Sequence, residues 1–157
     1  MSSSVVRNSF HYLVFDLLVL VLGASVEEMM PKPLDVGFPV LLMASQVLAL
    51  RRPALVMAVF AVAAGAMEDG ISSLPMMTSA SFFLLAAVLT RWSGFLAGMA
   101  ALAYPLYQFW LLLWVPSLEG NVFHRALLAL PVGICTALAA GALLVWLERR
   151  VALDEAG

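Results

Sequence analysis

The feature that most constrains this fold is a series of six apolar segments separated by short polar breaks. The segments cover residues 10–26, 34–50, 54–67, 76–90, 95–115 and 126–147. Hydrophobic residues make up 64% of the chain and charged residues 11%, whereas soluble domains have about 45–50% and about 25%. The sequence therefore predicts an all-α integral membrane protein, a bundle of six transmembrane helices formed by one domain, residues 1–157.

The distribution of the cations predicts the orientation of this bundle. Six spans place both termini on one side, together with six of the eight Lys and Arg residues: Arg7, Arg51, Arg52, Arg91, Arg149 and Arg150. The opposite side keeps Lys32 and Arg125. Because cations are retained on the cytoplasmic side, both termini are predicted to be cytoplasmic. A cleaved signal peptide is the alternative interpretation of the first segment, and it would leave five spans with an external N-terminus.

The break at residues 68–75 is the most polar interruption of the central apolar region. Its two adjacent carboxylates, Glu68 and Asp69, would point about 100° apart on a helix, so they do not form a preorganised catalytic dyad. One interpretation is a solvated acidic turn. The other is a shaped turn in which Asp69 accepts hydrogen bonds from backbone N–H groups or from Ser72 and Ser73.

Two further residues in this break carry backbone predictions. Gly70 would supply unusual backbone angles if the turn requires them. Pro75 is expected in the first turn of the fourth helix, with Ser72 or Ser73 near its N-cap.

Three polar side chains lie within the apolar segments, namely Asp16, Gln46 and Gln108. A carboxylate in hydrocarbon is costly unless it is paired, protonated or solvated. Asp16 is therefore interpreted either as an inward contact to another helix or a partner, or as a group that reaches the cytoplasmic headgroups. For Gln46 and Gln108 we expect interhelical hydrogen bonds.

Small residues spaced four apart recur in the last two segments. They are Gly94 and Gly98 at the start of the fifth, and Gly133, Ala137 and Gly141 along the sixth. Such spacing lets helix backbones approach closely. We expect contacts within the bundle, and interfaces with other subunits, a homodimer included, are the alternative.

No pattern in the sequence indicates an enzyme. There is one cysteine, Cys135, and the two histidines, His11 and His124, are far apart, so a metal site is not predicted. Ser-His-Asp sets, phosphate loops and basic patches with interleaved aromatic residues are also missing from the sequence. We therefore predict a non-enzymatic protein without a cofactor or metal and without a nucleic-acid partner.

The central stretch resembles the MreD family, the small membrane subunit of the bacterial rod-shape machinery. The family motif is a hydrophobic helix that ends in Gly-x-x-x-Asp, followed by Ser and Pro at fixed spacing. It is matched by Gly65, Asp69, Ser72 and Pro75. The Arg52-Pro53 turn and Arg91 also fit. Two positions depart from the pattern, because Met77 stands where the family often has glycine and Glu68 where an apolar residue is usual.

This resemblance implies a non-enzymatic scaffold in the bacterial plasma (inner) membrane. MreD-like proteins work with MreC, with cytoplasmic MreB filaments, and with RodA and a class B penicillin-binding protein in peptidoglycan synthesis and cell shape. The resemblance also implies that Asp69, Ser72 and Pro75 shape the turn between the third and fourth helices.

Size and topology are also similar to the substrate-binding S-components of energy-coupling-factor vitamin transporters, whose fold MreD-like proteins are thought to share. The alternative function is therefore that of a transporter subunit that binds a small metabolite. The Ala-x-x-x-Ala docking feature of S-components has no clear copy on the first helix, where Gly23-Ala24-Ser25 stands instead. A small membrane protein of neither family is the third interpretation.

Overall fold

The computed structural model describes residues 3–29, 39–115 and 122–154, and these residues form six helices. The helices are α1 (Ser3–Met29), α2 (Val40–Arg51), α3 (Ala54–Ile71), α4 (Thr78–Ser93), α5 (Leu96–Trp114) and α6 (Val122–Asp154). The prediction of an all-α fold with six helices is confirmed.

The short helix α2 lies at the centre of the fold, where it packs against each of the other five helices. All residues from 41 to 49 are buried, on every side of the helix. A helix that is apolar all round belongs inside a bundle, and this explains why the second apolar segment shows no polar face. α1 packs against α2 and α3, at the edge of the bundle.

The remaining helices form two closely packed pairs, α3 with α4 and α5 with α6. The contact between α4 and α5 is less extensive and is made largely by aromatic rings. Phe82 of α4 lies 5.2 Å from Tyr107 and 5.9 Å from Trp110, measured between ring centroids. Offset and tilted ring pairs of this kind add to the stabilisation from burial.

Several helix boundaries differ from the predicted segments. α1 runs from Ser3 to Met29 and extends beyond both ends of the predicted segment 10–26. α3 continues to Ile71 instead of ending at residue 67, because the backbone hydrogen bonds run on as far as Ser72 N–H to Glu68 C=O. α6 extends beyond both predicted ends. The predicted start of the second segment, residue 34, lies outside the described residues.

Among the described helices, α3 is the one that is both long enough and apolar enough to span a membrane. Two other apolar helical stretches, Val40–Arg51 and Val122–Thr136, are shorter than α3. Large apolar side chains are nevertheless exposed on several helices, among them Leu13, Leu17, Val21, Leu55, Val59 and Leu127.

Candidate functional site

The polar residues around the α3–α4 turn form the largest group of interacting polar side chains among the described residues. We call this group the turn cluster, and its members are Glu27, Glu68, Asp69, Ser72, Ser79 and Tyr107. The cluster joins the end of α1, the end of α3, the start of α4 and the middle of α5.

Asp69 fixes the start of α4. Its Oδ1 accepts the Ser79 backbone N–H at 2.7 Å, ten residues further along the chain, and its own C=O accepts the Leu74 N–H at 2.9 Å. The residue before α4, Met77, provides no side-chain cap. The carboxylate therefore replaces an N-cap side chain, at a helix end where negative charge is favoured. Asp69 is buried, so the turn is shaped by this contact and is not simply a solvated acidic loop.

Gly65 allows α3 to approach α4 closely enough for this contact. A Cβ atom at Gly65 would overlap the backbone N and Cα of Ala80. The two backbones are therefore in contact one turn of helix before Asp69. The Gly-x-x-x-Asp spacing combines a close helix crossing with a cap for the neighbouring helix.

The other motif residues lie elsewhere than predicted. Gly70 is part of α3 with open space around it, and the positive φ angles belong to Ser73 (52°) and Met77 (71°). Ser72 donates its hydroxyl to Glu68 Oε1 at 2.8 Å, not to Asp69. Pro75 precedes α4, which begins at Thr78, and so it does not occupy the first helical turn. The two positive φ angles reverse the chain in place of the expected glycine.

Glu27 joins the cluster from α1. Its Oε1 accepts the Leu41 N–H at 2.8 Å, near the start of α2. Its Oε2 is buried and has no hydrogen-bond partner among the described residues. Burial, together with the Glu68 carboxyl that faces it, raises the pKa of Glu27, which lies just beyond the predicted segment 10–26. The N–H groups at the start of α2 act in the opposite direction.

Tyr107 closes the cluster on the α5 side. Its hydroxyl shares a hydrogen bond with Ser79 Oγ, next to the N–H that Asp69 accepts. The indole Nε1 of Trp110 donates to Thr78 C=O at 2.9 Å. The first turn of α4 is thus held by a carboxylate of α3 and by two aromatic side chains of α5.

A second polar contact lies at the other end of α3, where Arg52 pairs with Asp16 of α1. Arg52 Nη2 lies 3.0 Å from Asp16 Oδ1, Nε lies 3.2 Å from both carboxylate oxygens, and both side chains are buried. The guanidinium also stacks over the Tyr12 ring, 4.5 Å from its centroid. Arg91 donates to the C=O groups of Ala49 and Arg52. Asp16 thus contacts the turn between α2 and α3 and does not reach out to solvent.

The other two polar residues of the predicted apolar segments, Gln46 and Gln108, have different surroundings. Gln46 is fully buried, and neither its amide oxygen nor its amide nitrogen has a hydrogen-bond partner in the described part of the chain. The expected interhelical bond is not formed, because α2 is enclosed by apolar side chains. Gln108 is buried on α5.

The small-residue pattern is realised only in part. Gly94 ends α4 in the left-handed conformation, with φ 66° and open space around it, so it makes no close helix contact. Gly141 also has open space where a Cβ would stand. Gly133 is buried within α6. The surroundings of Gly98 and Ala137 lie outside the described part of the structure.

Three important residues were missed as site residues from sequence. Glu27 lies just outside the predicted segment 10–26, Tyr107 lies within the predicted segment 95–115, and Arg52 lies in the turn before the third segment. One available signal was Asp16 itself, because a carboxylate within an apolar segment favours a paired partner. No comparable signal exists for Glu27 or Tyr107, because their partners are distant in the sequence.

Both polar groups connect separate parts of the helical bundle. Among the described residues, no three or more His, Cys, Asp or Glu side chains lie together in a way that could hold a metal ion. Comparisons with protein-family models, with curated proteins and with solved structures give no match. The sequence and the geometry of the two polar groups are therefore the basis for a functional proposal.

Proposed function

We propose that this chain is a non-enzymatic membrane scaffold subunit that resembles MreD and acts in the bacterial rod-shape complex. In this proposal the six helices lie in the plasma membrane with both termini in the cytoplasm. The bundle has the S-component-like architecture implied by the resemblance. Its partners are an MreC-like protein, MreB filaments, RodA and a class B penicillin-binding protein.

The proposal rests on the contacts that the two residues of the Gly-x-x-x-Asp motif make with α4. Gly65 meets the backbone of α4, and Asp69 accepts the Ser79 N–H at the start of that helix. Gly65 and Asp69 Oδ1 thus both join α3 to α4. A motif that specifies a rigid helical hairpin suits a protein whose role is to present a fixed surface.

The apolar surface of α1 supports a role in the membrane. Among the described residues, α1 packs mainly against α2 and α3, and its exposed side chains include Leu13, Leu17 and Leu22. Lipid tails or the apolar face of a partner helix can cover this surface without exposing it to water.

Affinity purification of the tagged full-length protein from bacteria in mild detergent tests the proposal. Mass spectrometry of co-purified proteins and small molecules is the readout. We expect recovery of MreC-like and wall-synthase subunits, and reduced recovery with Asp69→Ala. Glu28→Ala provides a matched control, because Glu28 is an exposed carboxylate on α1.

One result would contradict the scaffold, and a second would exclude the turn from partner binding. Recovery of an ATPase pair with a bound small metabolite would identify a transporter subunit instead. Recovery of the rod-shape subunits in equal amounts with wild type, Asp69→Ala and Glu28→Ala, from equally folded protein, would remove the turn from the partner-binding mechanism. Size-exclusion profiles of the purified variants show whether each one is folded.

A further inference from the structure

The chain links at the Arg52 end of the bundle form an exposed surface that is both basic and aromatic. Residues 91–95, at the end of α4 and in the link to α5, are all exposed, with Trp92 at 86% and Phe95 at 64%. Arg51, the last residue of α2, is also exposed. We call residues 51 and 91–95 the basic rim. Exposed aromatic rings beside cations are typical of the boundary between lipid tails and headgroups.

Arg91 presents its guanidinium in a defined orientation on the basic rim. Its Nη1 donates to the C=O of Ala49 at 3.0 Å and to the C=O of Arg52 at 2.6 Å, so the side chain reaches from α4 to the end of α2. Its Nε and Nη2 have no acceptor among the described residues. These two nitrogens form the edge that binds a phosphate or carboxylate through two parallel hydrogen bonds. Because Nη1 already fixes the side chain, little further ordering is needed for such a contact.

The charge of Arg91 is not matched by the described groups that it contacts. Both partners are backbone carbonyls, which carry no net charge. Asp16, a carboxylate at the same end of the bundle, is buried and accepts hydrogen bonds from Nε and Nη2 of Arg52. The same edge of Arg91 lies at the exposed rim. An anionic group from outside the chain therefore fits this edge in both charge and geometry.

We infer that the basic rim binds the headgroup of an anionic phospholipid, with the lipid phosphate on the Nε–Nη2 edge of Arg91. The apolar surface beside the rim favours a lipid over a free anion. Leu55 and Val59, in the first two turns of α3, are 77% and 63% exposed, and Leu55 lies three residues after the Arg52 carbonyl that Arg91 contacts. A molecule with an anionic head and apolar chains matches a cation beside such a surface. The inference rests on the membrane placement of the proposed function and not on its rod-shape partners.

Native mass spectrometry tests the lipid preference of the full-length protein, released from nanodiscs with equal amounts of phosphatidylglycerol and phosphatidylcholine. We expect the wild type to retain phosphatidylglycerol preferentially. Arg91→Gln should lower the ratio of retained phosphatidylglycerol to phosphatidylcholine about tenfold, because a two-donor, charge-assisted contact is lost. Arg91→Lys keeps the charge without the two-donor edge and should also lower this ratio, so it decides the question if Arg91→Gln fails to fold.

Arg149→Gln is the matched control, because it removes an exposed cation of α6 on the same predicted side of the membrane. This variant should change the lipid ratio by less than about twofold. Equal falls in Arg91→Gln and Arg149→Gln would indicate a general attraction to the basic side of the protein, and would overturn the site.

Fluorine NMR of the protein labelled with fluorotryptophan locates the bound lipid. We expect the Trp92 signal, assigned with Trp92→Phe, to shift when phosphatidylglycerol replaces part of the phosphatidylcholine, and Arg91→Gln to abolish this shift. The signal of Trp110, which donates to Thr78 at the start of α4, should stay in place. Inorganic phosphate added to phosphatidylcholine nanodiscs should not reproduce the Trp92 shift.

Two results of the NMR experiment would overturn the lipid site. These are an unchanged Trp92 signal in the wild type and a Trp92 shift produced by inorganic phosphate alone. Failure of the folded protein to enter nanodiscs would contradict the membrane placement and this inference together, whereas insertion without a preference for phosphatidylglycerol would overturn this inference alone.

Discussion

Arg52 and Asp16, 36 residues apart in the sequence, form a buried ion pair that ties α1 to the start of α3. Two guanidinium nitrogens contact the carboxylate, and the Tyr12 ring covers the guanidinium. Arg91 holds the backbone of the same turn through the C=O of Arg52. Three helices therefore meet at one arginine, in a region that the sequence presents as a short basic loop.

Removal of one partner of this pair should destabilise the protein strongly. Asp16→Leu leaves the Arg52 guanidinium buried beside apolar groups, and we expect a loss of about 3–5 kcal/mol of unfolding free energy. The double variant Asp16→Leu/Arg52→Met should recover most of this loss, because no uncompensated charge remains. Denaturant unfolding in detergent, followed by circular dichroism, measures both changes.

Arg51 provides the matched control for this prediction. It adjoins Arg52 in the sequence, but its side chain is exposed. Arg51→Met should change the unfolding free energy by less than about 1 kcal/mol, as is usual for exposed charges. Equal stability of Asp16→Leu and the wild type would show that the buried pair makes no net contribution.

The helices of this fold were predictable because each one is a long apolar run with a recognisable polar break. The contacts between the helices were harder to predict from the sequence. The composition of residues 68–75 indicated a turn, but Gly70 appeared to be its flexible residue, whereas Ser73 and Met77 carry the positive φ angles. Backbone hydrogen bonding within α3 continues through Gly70, and local composition does not reveal this.

The candidate site was predictable only where the partners are close in sequence or follow a motif. One of the two interpretations of Asp69 made it an acceptor for backbone N–H groups, but its partner Ser79 depends on how α3 crosses α4. The contact of Glu27 with the Leu41 N–H requires the end of α1 to meet the start of α2. A single sequence contains no local signal for such convergence, because the spacing along the chain does not fix the packing of distant helices.

Replacement of two glycines of α3 by alanine should change the free energy of unfolding in opposite directions. Gly65→Ala places a methyl group onto the backbone of Ala80, and we expect a loss of about 1–3 kcal/mol from overpacking. Gly70→Ala meets no atom within 4 Å and lies in a helix, so a gain of about 0.5–1 kcal/mol is expected. Thermal unfolding of the two variants in the same detergent provides the comparison. Equal effects would show that the close α3–α4 crossing does not determine stability.

Asp69 should stabilise the protein more through its role as a hydrogen-bond acceptor than through its negative charge. Asp69→Ala removes the partner of the buried Ser79 N–H, with an expected loss of about 1–3 kcal/mol. Asp69→Asn retains one acceptor oxygen in a similar position and should lose clearly less. Hydrogen exchange of the Ser79 amide is the local readout, and it should accelerate more in the alanine variant. An alanine variant with wild-type exchange at Ser79 would contradict the capping role.

The left-handed residues at the two ends of α4 should also respond oppositely to substitution. Met77 has φ 71° and an exposed side chain, so Met77→Gly relieves strain of about 1–2 kcal/mol while little packing is lost. Gly94 has φ 66° with open space around it, so Gly94→Ala introduces the same kind of strain without a steric contact and should lose about 1 kcal/mol. The unfolding free energies of Met77→Gly and Gly94→Ala, measured in the same detergent, test these two predictions. Stabilisation by both substitutions, or by neither, would mean that backbone strain at the ends of α4 does not control its stability.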